Sequence, residues 1–223
     1  MSDESIGINP SCGDEGKQVP RGMRVNALSV LGRAIPASFF AFACVLFWQS
    51  FRQTGRLTSL FWMASEGMVV ILLVFRRESK TVSRSVPDWV VALGGSFAVL
   101  LVRPVERALV PDAVGFALQL LGTAFEICGK AALGRSFGIV PANRGVIVRG
   151  PYRIVRHPIY LGYLVTHAGF LLSNYSLRNV ATYCVAYVFQ ILRILSEERF
   201  LGRDESYRTY RERVRYRLIP GIF

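Results

Sequence analysis

The sequence predicts an all-α, polytopic integral membrane protein: a bundle of five or six transmembrane helices with an amphipathic C-terminal helix on the cytosolic side. Hydrophobic residues make up 52% of the 223-residue chain, and the mean hydropathy is +0.34. Apolar segments alternate with clusters of basic residues, and the net charge is +12. This combination is typical of a membrane protein with basic cytosolic loops. A nucleic-acid-binding protein would instead carry its arginines along one soluble face.

Residues 1–26 are polar and contain glycine, proline, serine and charges of both signs, which predicts a disordered tail. The signal peptide of a secreted protein would begin with a short basic region, so we expect the first apolar segment to remain as an anchor. A metal site is not predicted, because the four cysteines are far apart and no histidine stands near them at ligand spacing.

Six apolar segments are the candidate spans, and a spanning helix needs about 20 apolar residues. The third segment is short and contains Gly94 and Gly95, so five spans remain an alternative to six. The segments are Ala34–Trp48, Leu57–Phe75, Trp89–Val102, Val110–Cys128, Pro158–Ser173 and Val180–Leu195.

The distribution of charge predicts the orientation. With the N-terminus in the cytosol, most of the 27 lysines and arginines fall in the tail, at 76–84, at 130–156 and at 199–217. The positive-inside rule then places both termini and the loop at 130–157 in the cytosol.

Two glutamates, Glu66 and Glu126, lie inside apolar segments. A charge near the middle of a bilayer is costly and usually faces a partner or a cavity. Arg33 and Arg193 are candidate partners. A hydrogen bond between helices and a functional role are both open for the two glutamates.

The end of the last apolar segment reads R-I-L-S-E-E. Arg193 and Glu197 are four residues apart and share one helix face, so they are expected to pair. Glu198 points about 100° away from Glu197 and is free to meet another group.

The stretch RGPYRIVRHPIYLGY at 149–163 predicts a turn followed by a helix start. Gly150, Pro151 and Tyr152 favour the turn, and Pro158 suits the first helical position after a cap at His157. Backbone N–H groups at this helix start, close to Arg153 and Arg156, predict an anion-binding corner.

A short loop joins the fifth and sixth segments, so their cytosolic ends should be neighbours in an antiparallel hairpin. The corner at His157 would then face the carboxylate pair at 197–198. A ligand with both a carboxylate and an ammonium group would satisfy them together, as an amino-acid group does. A lipid head group is the alternative.

The C-terminal stretch at 204–217 places Tyr207, Tyr210, Val214 and Leu218 at helical spacing among arginines. This pattern predicts a basic amphipathic helix on the membrane surface, and a solvated basic tail is the alternative.

Three segments together resemble the isoprenylcysteine carboxyl methyltransferase family, part of a wider group that includes phospholipid N-methyltransferases. They are GPYRIVRHPIYLGY at 150–163, EERFL at 197–201 and Y-x-x-Y-x-x-R-V-x-Y-R-L-I-P at 207–220. The resemblance covers residues 130–223 and implies a methyltransferase core there, preceded by N-terminal transmembrane helices at 27–129. It implies an integral membrane enzyme that binds S-adenosylmethionine from the cytosol without a Rossmann domain, and the chain has no GxGxxG motif.

The resemblance also implies the site residues. Arg193 is associated with the acceptor, as substrate-binding and catalytic residue, and His157 is the candidate base, although a binding role for it is preferred. His167 is expected to be a hydrogen-bonded interior histidine. The implied cofactor-binding residues are Gly145, Val146, Ile147, Tyr152, His157, Pro158, Ile159, Tyr160, Glu197 and Glu198.

The expected reaction is methyl transfer to a hydrophobic or lipid-linked acceptor within the membrane, most simply a carboxylate, which needs no general base. A phospholipid amine or a small thiol is the alternative acceptor. A non-enzymatic lipid-binding or transport protein, with Glu66, Glu126 and Arg33 along a polar pathway, is the competing class. The acceptor and the oligomeric state are left open.

Overall fold

A computed structural model describes residues 27–79, 81–83, 85–105 and 107–223. The predicted N-terminal tail lies outside these residues, as do two of the loop cations, Lys80 and Arg84. Seven α-helices are formed within the described part: α1 (Ala27–Thr54), α2 (Leu57–Phe75), α3 (Val86–Phe97), α4 (Asp112–Leu133), α5 (Pro158–Ser173), α6 (Leu177–Leu201) and α7 (Glu205–Arg213). Short 3₁₀ helices follow at Ala98–Leu101, Gly134–Ser136 and Gly150–Arg153.

Each of the six predicted apolar segments forms a helix. Four helical stretches in the described residues are long and apolar enough to span a membrane: Arg33–Thr54, Leu57–Phe75, Asp112–Ser136 and Leu177–Leu201. The third segment, Val86–Leu101 with its 3₁₀ end, is shorter. Helix α5 has 16 residues, fewer than the about 20 that a full crossing needs. By length and apolar composition, four of the described helices can span a membrane, whereas five or six spans were predicted.

The connecting segments fall at two ends of the bundle. At one end, β1 (Thr81–Val82) pairs antiparallel with β2 (Ala142–Asn143), so the α2–α3 and α4–α5 connections meet. At the other end, the backbone N–H of Tyr175 donates to the carbonyl of Arg107 over 2.8 Å. We call the first the loop end; it also carries the C-terminal segment and most of the basic residues.

Helices α4 and α5 have the closest backbone packing in the bundle. Glycines recur every seven residues along both helices, at 115, 122 and 129 in α4 and at 162 and 169 in α5. A Cβ on Gly162 would lie 2.7 Å from the backbone nitrogen of Glu126. Small residues at such positions let helix backbones approach within a membrane.

The buried charges of the bundle pair differently from the prediction. Glu126 pairs with Lys130 on its own helix and accepts a hydrogen bond of 2.5 Å from the Ser65 hydroxyl; Arg33 contacts Glu78 instead, and Arg193 contacts Glu197. The expected pairing of Arg33 or Arg193 with the intramembrane glutamates is therefore wrong for Glu126. Lys130 is fully buried and does not belong to the basic loop in which its sequence position placed it. A buried charge needs a partner within reach, and Glu126 lies one turn away.

Helices α5 and α6 are antiparallel, as predicted, and they meet through large side chains. His167 Nδ1 lies 3.0 Å from the hydroxyl of Tyr187, which confirms the interior, hydrogen-bonded histidine. The His167 ring also packs against Tyr183, with ring centroids 4.9 Å apart. This aromatic layer separates the two backbones along the middle of the hairpin.

The C-terminal helix is shorter than predicted. It ends at Arg213, and the chain continues in an extended conformation at Val214. The side chains of Tyr207, Tyr210, Val214 and Leu218 are all buried. The four residues with helical spacing therefore point into the protein. The helix ends because the following residues pair with another backbone segment, as described below.

The close packing at the spaced glycines predicts that alanine substitutions at two helical glycines will change stability differently. Gly122→Ala would place a Cβ against the backbone nitrogen of Thr166, whereas a Cβ on Gly67 would meet only Cys44 Sγ, at 3.9 Å. We expect Gly122→Ala to destabilise the protein by about 1–3 kcal/mol through overpacking. Gly67→Ala should be neutral or stabilising by up to about 1 kcal/mol. Thermal unfolding in detergent measures both, and equal midpoints for the two variants would contradict the role of the glycines.

Candidate active site

The turn at 149–158 forms as the sequence predicts. Gly150 has φ +55°, in the left-handed region that favours glycine, and a 3₁₀ turn follows at Gly150–Arg153. His157 is the N-cap of α5, and Pro158 is its first residue. The buried side chain of Tyr152 anchors the turn against the interior.

The C-terminal segment pairs with the residues just before α5. The backbone N–H groups of Arg156 and His157 donate to the carbonyls of Tyr216 (2.9 Å) and Arg217 (2.8 Å). The Arg156 guanidinium donates to the carbonyls of Val214 and Arg215, at 2.8 and 2.7 Å. Arg156 is therefore engaged in holding the C-terminal segment, and it does not supply a free cation to the predicted anion-binding corner. Arg153 is exposed.

Glu198 is the centre of this attachment. Its Oε1 lies 2.7 Å from Arg156 Nε, and its Oε2 lies 2.7 Å from Arg217 Nε. His157 Nε2 is 3.3 Å from Oε1. The Glu198 side chain is only 5% exposed, and both of its oxygens have cationic partners. Its charge is thus compensated within the protein, which a buried carboxylate requires.

A cavity at the loop end, which we call the His157 cavity, gathers most of the predicted site. Pro158 and Glu198 are not among the described residues that line it. Pro158 is fully buried, and the Glu198 carboxylate contacts Arg156 and Arg217. The predicted residues in the lining are Gly145, Val146, Ile147, Tyr152, His157, Ile159, Tyr160, Arg193 and Glu197.

Glu197 lines the His157 cavity. The Tyr160 hydroxyl donates to Glu197 Oε1 over 2.6 Å, and Arg193 Nε lies 3.4 Å from the same oxygen. The second oxygen, Oε2, is 3.8 Å from His157 Nδ1, beyond hydrogen-bond distance. Of the two neighbouring glutamates, Glu197 is therefore the one positioned to meet a ligand.

Arg193 also lines the His157 cavity. Its Nη2 donates to the carbonyl of Ile139 over 2.6 Å, and its Nη1 lies 3.4 Å from Ser96 Oγ. Arg193 also lines a second space deep in the bundle, which we call the membrane cavity and which Glu66, Glu126 and His167 line as well. Arg193 therefore lines both cavities.

Three tyrosines line the His157 cavity on the side of the C-terminal segment. The Tyr210 hydroxyl donates to the carbonyl of Tyr152 over 2.8 Å, which ties α7 to the turn. The Tyr207 hydroxyl is buried without a hydrogen-bond partner among the described residues. Burial raises the pKa of Tyr152, Tyr207 and Tyr210, so all three remain neutral phenols able to donate a hydrogen bond.

Sequence reasoning missed one wall of the cavity, the segment that follows α4. It contributes Leu133, Ser136, Phe137, Gly138, Val140, Pro141, Ala142 and Arg144. The sequence of this segment, LGRSFGIVPA at 133–142, is mostly apolar and rich in small residues. That composition, unusual for an exposed basic loop, is the signal that could have identified it.

Comparison with models of protein families gives a match in the second half of the chain. Residues 111–209 match the sequence model of a family described as phospholipid methyltransferase. The matched range begins at the start of α4 and ends in α7, so it covers less than half of the chain but includes every residue predicted for the site. None of the curated proteins compared with the chain matches it.

The family match and the four long apolar helices agree that this is an integral membrane protein. Residues 111–209 are thus similar to the phospholipid methyltransferases, a family within the group of membrane methyltransferases that also includes the isoprenylcysteine carboxyl methyltransferases.

Proposed function

We propose that the protein is an S-adenosylmethionine-dependent methyltransferase that binds its cofactor in the His157 cavity, on the cytosolic side, and methylates a lipidic acceptor. The observation that carries this proposal is the Glu197 carboxylate, which accepts a hydrogen bond from Tyr160 and lines a cavity whose residues are mainly apolar and aromatic. A cation with an aromatic body matches such a lining.

The residues of the cavity fit the cofactor's three chemical parts. The Glu197 carboxylate suits an α-ammonium group, and the unpartnered Tyr207 hydroxyl suits a ribose hydroxyl, because a buried polar group without a partner is costly. Val146, Ile147 and Tyr152 offer apolar and aromatic surface for an adenine ring. We propose the start of α5, beside His157, as the site for the cofactor's carboxylate, because the first backbone N–H groups of a helix attract an anion.

The cofactor, when bound, supplies a methyl group on a positively charged sulfur; the acceptor's lone pair forms the new bond to carbon while the electrons of the broken bond return to sulfur. The chain's own residues mainly align the reactants and exclude water. Tyr160 fixes Glu197, and Glu198 orients His157 through the contact at Nε2. We propose a binding role for His157, because a carboxylate acceptor needs no base.

The acceptor we propose is a carboxylate, held by Arg193 between the His157 cavity and the membrane cavity. A guanidinium has five N–H donors, and the contacts to Ile139 and Ser96 use two of them. A planar guanidinium matches a carboxylate well. The hydrophobic part of the acceptor would lie in the membrane cavity, among residues such as Phe47, Trp62 and Val99.

A phospholipid amine is the second candidate acceptor, and the family match favours it. An ammonium group must lose a proton before it attacks a methyl group. In that reaction His157 is the side chain of the cavity that could accept the proton.

The neighbouring glutamates should respond differently to the same substitution. Glu197→Gln removes the charge that faces the cavity, so S-adenosylhomocysteine should bind about tenfold more weakly or worse, because a charged hydrogen bond contributes about 1.5–3 kcal/mol. Glu198→Gln leaves the buried Arg156 without its partner and should lower stability by about 3–5 kcal/mol. Calorimetric titration and thermal unfolding in detergent measure the two effects. If the intact protein shows no saturable binding, the proposed function is wrong.

Arg193 should control turnover rather than cofactor binding. Arg193→Lys keeps the charge but loses the planar fork, so we expect methyl transfer to fall by about tenfold or more with S-adenosylhomocysteine affinity little changed. The exposed Arg199 provides the control, and Arg199→Lys should leave both quantities unchanged. Equal turnover in the two variants would remove Arg193 from the acceptor site.

The chemical class of the product distinguishes the two acceptors. Membranes containing the protein are incubated with a radiolabelled methyl donor, and the lipids are extracted and treated with alkali. We expect label to be released as volatile methanol, because a methyl ester is hydrolysed by base. Label that stays with the phospholipid head group after this treatment would establish amine methylation instead.

A further inference from the structure

The membrane cavity is large enough for a ligand with one aromatic ring. Its volume is about 160 Å³, and an apolar protein cavity of about 150 Å³ can hold a benzene molecule. The lining is rich in aromatic side chains from four helices, among them Phe47, Trp62, His167 and Tyr183. Aromatic rings pack favourably on other rings in edge-to-face or offset arrangements. Both the size and the lining therefore suit a ligand that contains a single ring.

One polar atom of a residue in this lining has no partner. Gln190 lines the membrane cavity and is only 6% exposed. Its Nε2 donates to the carbonyl of Gly95 over 3.2 Å, whereas its Oε1 is buried without a hydrogen-bond partner among the described residues. Gln190 lies near the middle of α6, a helix that is long and apolar enough to span a membrane. An unsatisfied carbonyl oxygen is costly at this depth, and a donor on a ligand would relieve the cost.

A second buried glutamine shows that the unpartnered oxygen coincides with the cavity. Gln119 in α4 is 7% exposed, and its Nε2 also donates to a glycine carbonyl, that of Gly115, over 3.2 Å. In the part of the chain that the structure describes, Gln119 does not line the membrane cavity, and its oxygen is not a buried atom without a partner. The two glutamines therefore differ in the feature that points to a ligand.

We propose that the membrane cavity binds a neutral lipophilic phenol, whose ring packs among the aromatic side chains and whose hydroxyl donates to Gln190 Oε1. Glu66 also lines the cavity and offers a second acceptor to the same hydroxyl. A neutral donor is favoured over an ammonium group, because a charge near the middle of a bilayer is costly. The ligand is lipophilic because it lies among membrane-spanning helices.

This binding goes beyond methyl transfer and needs no cofactor. The phenol would occupy the space in which we place the hydrophobic part of the acceptor, since Arg193 lines the membrane cavity as well as the His157 cavity. The two ligands would therefore compete for the membrane cavity, and this consequence alone rests on the proposed function.

Trp62 provides a local probe for the phenol. It lines the membrane cavity, and its ring centroid lies 5.8 Å from that of Phe170. The chain has 3 tryptophans, so a parent protein with Trp48→Phe and Trp89→Phe retains Trp62 alone. Bromine quenches tryptophan emission on contact. The probes are 4-bromophenol and 4-bromoanisole in neutral detergent, and the second carries a methyl group in place of the hydroxyl hydrogen.

We define the selectivity of a protein as the half-quenching concentration of 4-bromoanisole divided by that of 4-bromophenol. Partition into detergent is the same for every variant, so a change in selectivity reports on the protein. Gln190→Leu in the parent should lower the selectivity about fivefold, the value of one neutral hydrogen bond. Gln119→Leu is the matched control and should leave it unchanged. Thermal unfolding verifies that each variant is folded.

A second measurement needs no substitution at Gln190. Phenol without bromine should displace 4-bromophenol and restore the emission of Trp62, whereas anisole at the same concentration should restore less. Equal displacement by phenol and anisole, no displacement by phenol, or an equal loss of selectivity in the two leucine variants would overturn the proposal. Selective binding in a protein that binds no S-adenosylhomocysteine would retain the phenol site and refute only the methyltransferase.

Discussion

The attachment of the C-terminal segment to Glu198 is the interaction on which the candidate site depends. Glu198 near the end of α6 binds Arg156 before α5 and Arg217 near the C-terminus, so one buried carboxylate joins three segments distant in sequence. The same attachment brings Tyr207 and Tyr210 over the cavity and directs Glu197 into it. If the carboxylate were absent, the cations around it would repel one another in a poorly solvated place. The geometry of the residues that line the His157 cavity thus depends on a glutamate that does not line it.

The tight packing of α4 on α5 provides the rigid support beneath that attachment. Glycine spacing brings the two backbones together, and the ion pair of Glu126 with Lys130 is sealed inside the bundle, with both side chains at most 5% exposed. Tyr163, near the start of α5, has the Lys130 ammonium 5.7 Å from its ring centroid and also lines the His157 cavity. The tightly packed pair of α4 and α5 therefore also forms part of the His157 cavity. A rigid wall of this kind suits a site that has to hold reactants in a fixed alignment.

Some of this arrangement could be predicted from the sequence because it depends on local chemistry. Proline after His157 specifies a helix start, and the turn at Gly150 follows from its residues. The roles of Glu197 and Glu198 could not be separated, because both stand at the same depth and only the distant C-terminal segment distinguishes them. Lys130 was misassigned for a similar reason: its neighbours in sequence suggest a basic loop, while its partner Ser65 comes from another helix. The wall at 133–144 was missed since apolar spacing there is irregular.

The charges of the protein differ in how completely they are neutralised, and this difference indicates where ligands belong. Lys130, inside the bundle, has a carboxylate in direct contact, as the cost of an isolated charge in a membrane requires. Arg156 is equally well compensated by Glu198. Glu197 is less completely compensated, because its Oε2 lies 3.8 Å from His157 Nδ1, beyond hydrogen-bond distance. Glu197 also lines the His157 cavity. The cationic methyl donor that we propose would therefore bind where the protein leaves a carboxylate oxygen open to a cavity.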